Sequence, residues 1–192
     1  LSGADDVVVS QGDRWRIRAS GNRAVLDDLR FVVEDGELLI GRRWRRTPAA
    51  GTARIEVSAP AIRRAHLAGS GRLTVSDLDG ETGRAAVSGS GELAIERVRV
   101  GRLAAKIAGS GDMRLAGRAA FMQVQIAGSG DLSGEAMQVT DAELAIAGSG
   151  DTRLQASGRV SASIVGSGNA AVTGTRDCTQ NRMGSGRLTC TR

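Results

Sequence analysis

The 192-residue chain carries a formal net charge of +5 and is 41% hydrophobic, which supplies a sizeable core for one large domain or two small ones. Two Trp, two Phe and no Tyr leave that core to Val, Ile, Leu and Ala, side chains suited to a narrow interior. The single histidine excludes a multi-histidine metal site, and the absence of a long apolar run excludes a membrane-spanning helix.

From the start of the chain, apolar residues alternate with polar ones in short stretches. Val7 and Val9, Trp15 and Ile17, Phe31 and Val33, Leu38 and Ile40, and Ile55 and Val57 predict five short strands, with Ser20-Gly21-Asn22 and Asp35-Gly36 as turns between them. This segment, residues 1–65, reads as an N-terminal β cap and the first irregular coils, with its two Trp and one Phe plugging the end of the core that follows. Within it, Arg42-Arg43-Trp44-Arg45-Arg46 sets four guanidinium groups around an indole. Such a cluster can grip phosphate, sulfate or uronate groups while the indole stacks on a sugar. The competing reading is a solvated cap strand whose Trp packs inward and whose arginines face water. His66, just beyond, reads as a surface residue.

From there the chain repeats. Gly-Ser-Gly begins at Gly69, Gly89, Gly109, Gly128, Gly148, Gly166 and Gly184, at intervals of 20, 20, 19, 20, 18 and 18 residues. Two residues before the tripeptide stand Leu67, Val87, Ile107, Ile126, Ile146 and Ile164. Two residues after it come Leu73, Leu93, Met113, Leu132, Thr152, Ala170 and Leu188. A period of two with no competing 3.6-residue period marks strands with one buried face. Each repeat therefore reads as strand, glycine corner, strand. Residues 66–192 form seven such coils of about 20 residues in a single all-β domain, a parallel β-helix or β-solenoid whose default hand is right.

The position after each tripeptide reads Arg72, Glu92, Asp112, Asp131, Asp151, Asn169 and Arg187. Stacked coils place Glu92, Asp112, Asp131 and Asp151 in a column about 5 Å apart. That column offers oxygen ligands for Ca²⁺, and the alternative is that its carboxylates accept hydrogen bonds from turn amides. Arg114 and Arg153, two residues beyond Asp112 and Asp151, stand ready to pair with those acids. A catalytic carboxylate pair needs two unlike environments, and repeated equivalents on one edge supply the same one several times over, so no catalytic residue is assigned. The corner serines have no neighbouring base. Cys178 and Cys190, the only cysteines, lie in the last coil, where a disulfide would clamp the end and point to an oxidising compartment. The bland alternative is a pair of small buried thiols.

The Gly-Ser-Gly-Asp-(Met/Leu) steps and their spacing resemble the bacterial family of putative auto-transporter adhesins of the head GIN domain type. Val7-Val8-Val9-Ser10-Gln11-Gly12 followed by Trp15-Arg16-Ile17 is similar to that family's opening strands. Asp35-Gly36-Glu37-Leu38-Leu39-Ile40 is similar to its hairpin, and Ile55 to Gly71 to the start of its repeats. The resemblance implies a single-stranded right-handed β-helix, export from the cytoplasm and no known catalytic residues.

Taken with the surface chemistry, this leads to the expectation of a non-catalytic, adhesin-like scaffold at the cell envelope or outside the cell, presenting flat β faces to an anionic glycan, a cell-wall component or a protein. A self-associating structural spacer is the alternative, and a polysaccharide-active enzyme is a more distant one. Beyond a Ca²⁺ ion in the acidic column no cofactor is expected. Nucleic acid is the partner class least expected, because no nucleic-acid-binding fold accompanies the arginines.

Overall fold

The computed structural model describes residues 1–47 and 49–192. Fourteen of its strands join one sheet, wound as a β-solenoid of about six turns. The long strands β8 (Arg72–Gly89), β9 (Glu92–Gly109), β10 (Asp112–Gly128) and β11 (Leu132–Gly148) each bend around most of a coil. The later coils divide into shorter pieces: β12 (Thr152–Ala156) and β13 (Val160–Gly166), then β14 (Ala170–Thr173) and β15 (Cys178–Gly184), and finally β16 (Leu188–Thr191). Neighbouring coils pair in parallel, so like residues stack, as in the column Val87, Ile107, Ile126, Ile146 and Ile164. That column is almost wholly inaccessible to solvent, as the alternating pattern requires.

The tripeptide corners line up along one edge. Gly69, Gly89, Gly109, Gly128, Gly148, Gly166 and Gly184 are register partners, which makes six complete turns between seven corners. The first glycine of each tripeptide has φ between +120° and +130°, a conformation costly for residues with a Cβ. The second glycine is required by stacking: a Cβ on Gly111 would lie 2.4 Å from the Gly91 carbonyl oxygen of the coil below. The serine side chain between them points into solvent.

The N-terminal region holds the five predicted strands: β2 (Asp6–Gln11), β3 (Arg16–Ser20), β4 (Leu29–Glu34), β5 (Glu37–Arg42) and β6 (Arg54–Ala59). Asp35 and Gly36 both have positive φ and turn the antiparallel β4–β5 hairpin. The chain path is less direct than the sequence implies. Strands β1 (Ser2–Gly3) and β2 already form a solenoid rung, beneath β7 (Arg64–Gly69) and β8, with Gly3 under Gly69 and Val7 under Leu73. Gly3-Ala4-Asp5 is thus an eighth corner, whose Gly3 carbonyl accepts from the Ser70 and Gly71 amides as the Gly69, Gly89, Gly109, Gly128 and Gly148 carbonyls do from the corners that follow them. Strand β6 pairs in parallel with the other side of β2, and β3 closes this edge by pairing antiparallel with β6.

Two sequence expectations for the cap need correction. A short helix, α1 (Arg23–Asp28), follows the Gly21-Asn22 turn, with the Asn22 side chain accepting from the Val25 amide as its N-cap. The aromatic residues do not plug the core: Trp44 is 86% exposed, Trp15 47% and Phe31 37%. The bore is only as wide as aliphatic side chains, and Val25, Leu29, Ile40 and Ala53 fill the cap instead.

Candidate functional site

The basic cluster at the end of β5 divides into two kinds of residue. Arg42 turns inward and binds the Asp5 carboxylate through Nε (2.9 Å to Oδ2) and Nη2, and also donates to the carbonyls of Ala49 (3.2 Å) and Gly51 (2.8 Å). Asp5 is fully buried and accepts a third bond from the Ala53 amide. Burial pushes its carboxyl up, but the Arg42 hydrogen bonds, the Ala53 amide and the Arg42 charge outweigh this and hold it below the usual carboxylate range. Arg45 pairs likewise with Asp28, a buried carboxylate at the end of α1, while Arg43 reaches the same acid only at 3.9 Å. Arg42 and Arg45 are therefore cap struts. Trp44, Arg46 and the half-exposed Arg43 remain on the outside.

The acidic column forms as stacked coils require, and its members are bonded along the stack. The Asp112 carboxylate accepts from the Asp131 amide (3.2 Å), Asp131 from the Asp151 amide (2.8 Å), and Asp151 from the Asn169 amide (2.8 Å). Glu92 departs from this pattern and lies between two arginines, Arg72 (3.1 Å) and Arg114. Arg114 thus pairs with the acid one coil back and not with Asp112, and Arg153 makes no ion pair with Asp151 among the described residues. No group of three or more His, Cys, Asp or Glu side chains among the described residues is arranged to hold a metal ion. His66 is exposed, its Nε2 lying 3.3 Å from the Ser88 hydroxyl.

Two features escape a reading of single positions. Asp77 and Asp79 on β8 face Arg97 and Arg99 on β9, one coil on, with Arg97–Asp77 at 2.7 Å and Arg99–Asp79 at 2.8 Å. The Arg102 guanidinium lies 5.5 Å from the centre of the Phe121 ring on the next coil. Both pairings span 19 or 20 residues in sequence, one repeat, and the repeat length was the signal that could have found them. A cavity opens at the N-terminal end between the β4–β5 hairpin and the rungs of β2, β7 and β8. The last coil carries a disulfide between Cys178 and Cys190, which joins β15 to β16.

The fold recurs in solved structures of low sequence identity. A putative adhesin from Bacteroides fragilis is 16% identical and superimposes with a TM-score of 0.90, covering 100% of this chain and 89% of that one. A protein described as a putative lipid binding protein, from Parabacteroides distasonis, is 22% identical with a TM-score of 0.75, covering 100% and 90%. A putative adhesin from Parabacteroides merdae is 18% identical with a TM-score of 0.74, covering 100% and 89%. No curated protein sequence matches the chain. At the level of sequence, the profile of one family spans residues 1–175, and with the stacked glycine corners in place the chain belongs to that family, described as putative auto-transporter adhesin, head GIN domain.

Proposed function

We propose that the protein is a non-catalytic binding scaffold of the cell envelope or extracellular space, whose ligand is an anionic glycan or cell-wall polymer. Family membership supports the adhesin-like class. The observation that carries the ligand chemistry is Trp44, a large apolar side chain left 86% exposed while the arginines on either side of it differ in role. Arg42 and Arg45 hold the loop by ion pairs to the buried carboxylates of Asp5 and Asp28, so the indole is presented on a fixed base. Arg43 and Arg46 flank it with guanidinium groups that match carboxylate or sulfate, and an exposed indole is the usual stacking partner of a sugar ring. The regular outer faces of the coils give an extended polymer room to lie along the rod. The repeated acids are already committed to amides of the next coil, which supports binding without turnover.

The test is co-sedimentation with insoluble envelope polysaccharide and titration with a soluble polyuronate. Trp44→Ala combined with Arg46→Ala should weaken binding at least tenfold with the melting temperature unchanged. Full binding by that variant, or no binding by the unaltered protein to any envelope fraction, removes this reading.

A further inference from the structure

In the complete coils every wall contributes inward side chains, and Leu93, Val98, Leu103 and Ile107 are each fully buried. The rung of β1 and β2 lacks a complete coil, because the chain leaves it at Gln11 to build the cap. The β4–β5 hairpin stands in for the missing wall, and it stands off. The result is a cavity of about 900 Å³ that opens over this end of the aliphatic core. Its inner wall is Val7 and Val9 of β2, Val57 of β6 and Leu73 and Val75 of β8; its outer wall is the hairpin residues Leu38 and Ile40.

The chemistry of this space narrows what it holds. The wall residues just named are all aliphatic, as an apolar ligand requires. Partly exposed apolar side chains, Trp15, Val32 and Leu39, gather where it opens. Arg63, just before β7, and Arg64, its first residue, lie on the same rim, and neither takes part in an ion pair among the described residues. The lining sets Arg30, Arg63 and Arg64 against Asp35 and Glu37, and an aliphatic interior with this net cationic margin matches an amphiphile of opposite polarity. A volume near 900 Å³ lies within the range of about 300–1,000 Å³ typical of small-molecule sites.

We infer that this cavity binds a single acyl chain, with the carboxylate or phosphate of its head group held by Arg63 and Arg64. The site is separate from Trp44 and does not depend on the glycan reading. Chain length is read by burial of methylene groups against Val9, Val57 and Val75, and head-group charge is read at the rim.

The experiment follows the fluorescence of cis-parinaric acid, an 18-carbon fatty acid, on titration with the full chain, then its displacement by laurate, by lysophosphatidylglycerol and by dodecyltrimethylammonium. Saturable binding is expected, with displacement by the two anionic amphiphiles and at least tenfold poorer displacement by the cationic one. Stronger displacement by laurate assigns a free fatty acid; stronger displacement by the lysolipid assigns a phospholipid head. Val9→Trp fills the cavity from within, and Ala61→Trp, at an exposed lining position, fills it without touching the core. Either should weaken parinarate at least tenfold. Arg63→Glu with Arg64→Glu should weaken the anionic ligands tenfold or more and relieve the discrimination against the cation. The inference is overturned by the absence of saturable binding, by unchanged affinity in Ala61→Trp, or by equal displacement irrespective of head-group charge.

Discussion

Arg42 clasps Asp5 at the one corner of the glycine column where the second glycine is replaced by a side chain. In the later corners a Cβ at that position would strike the carbonyl of the coil below. Beneath Gly3-Ala4-Asp5 no further corner exists, so the carboxylate can reach down into the cap and meet the guanidinium, the Ala53 amide and through Arg42 the 49–51 segment. One pair thus joins the last regular rung to the cap.

Breaking that pair from either side strands a buried charge. Arg42→Ala and Asp5→Ala should each lower unfolding free energy by about 3–5 kcal/mol, read from urea midpoints. A double variant, Asp5→Ala with Arg42→Met, should recover part of the loss.

Acid should act through the same carboxylate. The Asp5 pKa is held below its ordinary 3.8, so its contribution is fully present above the unfolded value and is lost as pH falls through the lower, folded one. Urea midpoints of the unaltered protein should therefore drop as the pH falls below the ordinary carboxylate value, and Asp5→Asn should flatten that part of the curve.

Stacking, more than turn geometry, should set the tolerance of the corners. Gly111→Ala places a methyl group against backbone that cannot yield and should destabilise by about 3 kcal/mol, while Ser110→Ala, one residue away on the solvent side, should be neutral within about 0.5 kcal/mol.

Thr152 occupies a position held by Leu132 in the coil below, is 1% exposed, and its hydroxyl has no hydrogen-bond partner among the described residues. Thr152→Val keeps the shape and removes the orphaned group, and should raise stability by about 1 kcal/mol in thermal melts.

Reduction of the Cys178–Cys190 bond should cost about 3 kcal/mol on the chain-entropy argument, and hydrogen exchange should show β15 and β16 losing protection before the middle coils.

The glycine tripeptides made the solenoid legible because its physics is one-dimensional: once a rung repeats, register follows. The cap strands were equally plain from alternation at Val7/Val9 and Ile55/Val57. What could not be read was order in space. Nothing in residues 1–11 announces that they lie beneath residues 66–75, since the tripeptide there has become Gly3-Ala4-Asp5. For the same reason the basic cluster read as one feature: local spacing cannot say that Arg42 and Arg45 meet acids 37 and 17 residues away while Trp44 is left outside. The helix α1 was missed because Asn22 read as a turn residue, although Asn is equally an N-cap. The apolar cavity depends on how far the hairpin stands from the rungs, a distance with no local signature.

The repeats are not all one length, and the larger part of the difference falls just past the corner, with a one-residue change between Val139 and Ala142. Register slips between Leu115 and Gly117 and between Gly134 and Gln138, always beyond the inward pair that follows the glycine corner, while the Gly-Ser-Gly edge stays aligned throughout. The rod therefore has a strict seam and a lenient one. Differences in length among the repeats are absorbed along the lenient seam, and a foreign peptide grafted after Ala116 or Glu135 should be displayed there without disturbing the aliphatic bore.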